Sequence, residues 1–127
     1  MSETTTIALL LAVFALTAGT VPQFSKRLWE RRDHIVTGIV DGVPISMSYR
    51  RMLFFHDYLS IWLSLDVVLL TVGVAFVFAA GTVEGDAARQ TAYLCATAGL
   101  GGGAFVTILF PIWTSYIFSV LRRGEGD

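Results

Sequence analysis

Apolar positions in this chain come as long runs, not as an alternation or a narrow helical stripe. Residues 4–25 and 90–121 carry no charge, and between Asp57 and Glu84 the one charge is Asp66. Each stretch exceeds the roughly 20 residues that a helix needs to cross a hydrocarbon layer. The pattern predicts an all-α integral membrane protein built as a single membrane domain over residues 1–127. Its three transmembrane helices cover about 5–21, 52–80 and 88–121, with a connector at 22–51.

Pro22 has no amide proton and restricts the residue before it, so the first span is expected to stop there. The second and third spans would measure about 43 and 50 Å at 1.5 Å per residue, against about 30 Å of hydrocarbon. Both must therefore tilt, kink or protrude. Pro111 and the cluster Gly99, Gly101, Gly102 and Gly103 mark the expected soft places in the third span.

Two patterns divide the connector. Residues 23–33 set Phe24, Leu28 and Trp29 among Lys26, Arg27, Arg31 and Arg32, which suits a short helix at the headgroup level. Residues 34–49 predict a β-hairpin: β-branched flanks enclose Asp41-Gly42, the dipeptide that supplies the positive φ angles of a two-residue turn. Pro44 removes one ladder donor and points to an edge. A lone hairpin is marginal in water, so it should dock on lipid, on the rest of the chain or on a partner.

Composition agrees with this class: 54% of residues are hydrophobic, 15% are charged, and mean hydropathy is +0.66. A water-soluble enzyme, a disordered chain and a disulfide scaffold are excluded. Cys95 is the sole cysteine, so no intrachain disulfide can form. The net charge of −1 favours neither a strongly basic nor a strongly acidic partner, and nothing suggests nucleic acid.

The placement of the nine Lys and Arg residues carries more information. Lys26, Arg27, Arg31, Arg32, Arg50 and Arg51 lie between the first and second runs, Arg122 and Arg123 follow the third, and Arg89 stands alone between the second and third. The positive-inside rule places the 22–51 connector and the C-terminus in the cytoplasm and the N-terminus outside, with the cell (inner) membrane as the expected location. Residues 1–20 read as an anchor and not as a cleavable leader, because the positive cluster follows the apolar run. Arg27, Trp29, Arg31, Arg32, Arg50, Arg51, Trp113, Tyr116, Arg122 and Arg123 are the expected interfacial anchors.

Asp66 is the sharpest chemical feature. A charge within a span costs about 2.5–3.5 kcal/mol, which fifteen Leu, Ile, Val and Phe residues between 54 and 80 offset at roughly 0.3–0.6 each. Two readings follow: a proton or cation site, or a neutral carboxyl hydrogen-bonded across a helix interface to Ser, Thr or Tyr. Helical spacing puts Trp62, Asp66, Leu70 and Gly73 on one face, Gly73 permitting close approach of another helix.

A second polar face holds Asp57, Ser60, Ser64 and Thr71, with His56 beside Asp57. Asp57 and Asp66 are nine residues apart, on opposite sides of the helix, so a paired-carboxylate site is not expected. His56 and Asp57 near Arg50 and Arg51 form an interfacial ion network on the simplest reading, with a proton-access point or a metal-ligand pair as the alternatives. In the third span Cys95, Gly99, Gly103 and Thr107 share a face, and Gly99-x-x-x-Gly103 is a helix-pairing motif.

Other motifs fail on inspection. GLGGG has no following Lys-Ser or Lys-Thr and lies inside an uncharged run, so it is not a phosphate loop. Thr71-Val-Gly-Val-Ala75 departs from a potassium filter at its Tyr-Gly positions. No catalytic or metal signature occurs, and neither an enzyme nor a cofactor is expected. The expected function is that of a small accessory or assembly subunit of a larger membrane complex, packing against other subunits or itself as an oligomer. The alternative is a homo-oligomeric pore or proton/cation conductor lined by the polar face of the second span.

Overall fold

The computed structural model describes residues 2–126, with side-chain surroundings described as far as Gly124. In chain order they form α1 (Glu3–Ala18), α2 (Val21–Thr37), β1 (Ile39–Val40), β2 (Val43–Pro44), α3 (Met47–Met52), a π-helical stretch (Leu53–Tyr58), α4 (Leu59–Thr82) and α5 (Asp86–Gly126). Three continuous stretches, Glu3–Thr37, Met47–Thr82 and Asp86–Gly124, are long and apolar enough to cross a membrane.

Pro22 begins a helix where the sequence suggested an end. α1 stops at Ala18, Gly19 and Thr20 make a turn, and α2 starts at Val21 with Pro22 in its first turn. Proline suits that position, because first-turn amides have no intrahelical acceptor to lose. The basic segment lies in a helix longer than the expected 23–33; none of residues 23–33 is buried, but Phe24 and Leu28 pack against the core, and Ile35 beyond them is fully buried.

The hairpin is present but much smaller than the flanks 34–40 and 43–49 implied. Only Ile39 with Pro44 and Val40 with Val43 pair, around Asp41 (φ 51°) and Gly42 (φ 78°). The Ile45 N–H extends the ladder by donating to the Gly38 carbonyl at 2.8 Å. Pro44 therefore sits between hydrogen-bonded pairs, where its missing donor costs nothing. His34–Thr37 belong to α2, ended by Gly38 at φ 72°, and Met47–Tyr49 belong to α3, capped by the Ser46 side chain on the Tyr49 amide. Capping chemistry outweighed β-branching at both flanks.

The largest core lies toward the hairpin end of the bundle. Ile35, Phe54 and Ile117 are 0% exposed, and Leu53, Tyr58, Trp62, Leu65, Val106 and Leu121 join them. The π-helical stretch helps build this core. Its wider turn brings residues five apart onto one face, so Leu53 and Tyr58 both point inward while Phe55 and His56 stay exposed. Phe54 stacks on Tyr58 with centroids 5.7 Å apart and meets Phe118 of α5 edge-on at 4.8 Å. α1 has no buried residue and touches the remainder through Leu10 and Phe14, which pack on Phe76, Cys95 and Ala96.

Candidate functional site

The interface between α4 and α5 collects most of the small residues singled out in the sequence. A Cβ on Gly99 would lie 3.0 Å from the Cα of Gly73, and one on Gly73 would lie 2.8 Å from the Leu100 backbone nitrogen. Gly103 receives Leu70 just as closely, since a Cβ there would meet Leu70 Cγ at 2.8 Å. Cys95 is buried one turn earlier. α4 of the same chain covers this face, so its small residues are used within one copy and do not argue for self-association. Pro111 lies exposed within α5, which continues through it.

Asp66 belongs to the same interface. The Thr107 hydroxyl lies 2.9 Å from both carboxyl oxygens of Asp66 and 2.9 Å from the Gly103 carbonyl. One hydroxyl proton cannot serve both acceptors. A charged Asp66 accepts the Thr107 O–H and leaves Gly103 its helical bond alone. A neutral Asp66 donates to Thr107, which then donates to Gly103. A small cavity of about 50 Å³ between Trp62, Leu63, Val106 and Phe110 adjoins this pair.

The second polar face of α4 points elsewhere. Ser60, Ser64 and Thr71 are exposed and have no hydrogen-bond partner among the described residues, whereas Thr17, Thr91 and Thr97 each donate to the carbonyl four residues back. Asp57 makes an ion pair with Arg31 of α2 at 3.6 Å, both side chains being well over a third exposed. Such a surface pair contributes little to stability. His56, Asp57 and Ser60 line a polar cleft of about 480 Å³ together with Arg27, Glu30 and Arg31. Among the described residues no three His, Cys, Asp or Glu side chains gather closely enough to hold a metal ion.

No family model, curated protein or solved structure matches this chain.

Several of the expected interfacial residues have structural partners that spacing did not reveal. Arg50 folds back onto the end of α2, where Nε donates to the Ile35 carbonyl at 2.7 Å and Nη2 to the Val36 carbonyl at 3.2 Å. Arg32 lies among three rings, its Cζ 4.7 Å from the centroid of Trp29, 5.3 Å from Trp113 and 5.5 Å from Tyr116. Arg51 and Arg122 line one cleft with Phe55 and Phe118, and Arg123 is exposed beside them in α5. At the opposite end of the bundle Glu3 accepts the backbone amides of Ala87 and Ala88. An acidic residue ahead of the first span and a Gly-Asp ahead of the third were visible in the sequence, but nothing there paired them.

Proposed function

We propose that this chain is a non-catalytic subunit of a larger membrane complex, held against a neighbouring helix through the outer face of α4. One observation carries the reading: Ser60, Ser64 and Thr71 stand exposed and unpartnered along that face. Hydroxyls without acceptors are poorly suited to lipid, and interhelical hydrogen bonds contribute roughly 0.6 kcal/mol each on average.

The membrane level follows from length. About 30 Å of hydrocarbon takes about 20 helical residues. Laid from Thr5, Ala80 and Gln90, it reaches Ser25 in the first stretch, Ser60 in the second and Phe110 in the third. Lys26, Asp57 and Trp113 then fall just beyond it, and the core around Ile35, Phe54 and Ile117 forms a helical layer outside the hydrocarbon. The excess length of the second and third helices is thus protrusion. The basic residues of that layer favour a cytoplasmic position for it, with the Glu3 end outside, in the cell membrane.

A ring of identical copies conducting protons or cations is the competing reading. Asp66 weighs against it, because it turns toward Thr107 of its own chain and away from the Ser60, Ser64 and Thr71 face. The deciding measurement is the mass and composition of the native complex in mild detergent. Different, larger subunits in fixed stoichiometry, released by Ser64→Leu with Thr71→Leu, are expected. A closed ring of this chain alone would overturn the proposal.

A further inference from the structure

An apolar groove of about 530 Å³ runs between α1, α2, α4 and α5. At the hairpin end it is walled by Leu28, Trp62 and Leu109, and at the other end by Phe14 and Val72. From Trp62 to Val72 is about 15 Å along α4, a length that suits an extended hydrocarbon chain lying against apolar walls.

The hairpin end of the groove is electrostatically distinct. Arg32 lies one helical turn beyond Leu28, and Trp113 one turn beyond Leu109. The rings of Trp29, Trp113 and Tyr116 surround the Arg32 guanidinium, and their faces attract its charge. They offer its N–H groups no in-plane acceptor. The Arg32 Nε is buried without a hydrogen-bond partner, and among the described residues no carboxylate pairs with this side chain. Trp113 falls about 5 Å past the end of the hydrocarbon layer placed above, at the depth of lipid phosphates.

We infer that this groove is a binding site for an anionic phospholipid, with one acyl chain between Phe14 and Leu28 and the phosphate on the Arg32 guanidinium. A planar guanidinium binds phosphate oxygens by paired hydrogen bonds, here through its two Nη groups because Nε is buried, and the apolar walls supply the affinity for the chain. The inference uses the membrane level set by helix length, but not the proposed partner on the α4 face, which lies on another side of that helix.

Native mass spectrometry of the detergent-purified chain, titrated with dioleoyl phosphatidylglycerol or dioleoyl phosphatidylcholine, tests it. One phosphatidylglycerol should bind at about tenfold lower concentration than phosphatidylcholine, the scale of one charge-assisted pair. Arg32→Gln should abolish that preference, and Arg89→Gln, at the opposite end of the bundle, should leave it intact. Gly102→Leu, whose Cβ would sit 3.7 Å from Leu69 at the groove wall, should weaken both lipids. Equal binding of the two lipids by the unaltered chain, or a preference that survives Arg32→Gln, would overturn the site. If Arg32→Gln does not fold, the groove variant decides: unchanged phosphatidylglycerol binding in Gly102→Leu refutes the assignment. Displacement of the lipid by glycerol 3-phosphate alone would refute the role of the groove. A second copy of the chain lost on Gly102→Leu, with no lipid effect, would assign the groove to protein instead.

Discussion

The carboxylate of Glu3 accepts the N–H of Ala87 at 3.0 Å, so the first turn of α1 caps the first turn of α5 across 84 positions of sequence. The Ala88 amide adds a second bond at 3.2 Å, and Gly85, at φ 94°, leaves the room in which the carboxylate lies. An acidic group at a helix N-terminus satisfies amides that have no intrahelical acceptor and complements the helix dipole. Because α1 has no buried residue, these two bonds add to the packing of Leu10 and Phe14 on Phe76, Cys95 and Ala96, where Phe14 meets Phe76 edge-on at 6.2 Å.

Replacing Glu3 with Ala is therefore expected to cost about 1 kcal/mol, the usual scale of a lost cap. Amide hydrogen exchange should show Ala87 and Ala88 losing protection while Phe54 and Ile117 keep theirs. Unchanged exchange at Ala87 and Ala88 would mean that the cap does not hold α5.

Glycines in α4 and α5 should separate into two groups. Gly73→Ala and Gly99→Ala place a Cβ against backbone atoms of the opposite helix, and overpacking of this kind costs about 1–3 kcal/mol. Gly81→Ala and Gly101→Ala meet nothing within 4 Å and should be neutral or slightly stabilising. Thermal unfolding of the four variants in one detergent checks the split, and a uniform response would contradict the close approach of α4 to α5.

Asp66→Asn supplies an N–H donor where a neutral carboxyl would supply an O–H. It should preserve the bond to Thr107 and change unfolding by less than about 1 kcal/mol, whereas Thr107→Val should cost about 1 kcal/mol or more by leaving Asp66 unpaired. Greater damage from Asp66→Asn than from Thr107→Val would show that the charged form is the one the interface uses.

Arg50→Ala removes two charge-assisted bonds to the last turn of α2 and should cost about 2 kcal/mol, released locally around the hairpin. Limited proteolysis near Asp41 is the sensitive measurement: faster cleavage is expected, and no change would deny Arg50 its capping role.

Sidedness can be measured with introduced cysteines in a Cys95→Ser background. A membrane-impermeant maleimide applied to intact cells should label Glu84→Cys and spare Gly42→Cys. The reverse pattern would invert the orientation argued from the basic residues.

The amino-acid order alone determined the class of this protein. Three uncharged or nearly uncharged runs require a nonpolar solvent, and the hydrophobic effect acts on composition before any contact forms. Local chemistry was legible too where it is complete within a few residues: Asp41-Gly42 makes its turn, and Gly73, Gly99 and Gly103 each lie where two helices meet. Partners distant in sequence were not legible. The pairing of Glu3 with Ala87, of Arg50 with the α2 carbonyls, of Asp66 with Thr107 and of Arg32 with its three rings depends on which helix faces which, and at what height. The π-helical stretch carries no Gly or Pro to announce it. It exists because Leu53, Phe54 and Tyr58 are all buried in one core, a condition that only the packed structure imposes.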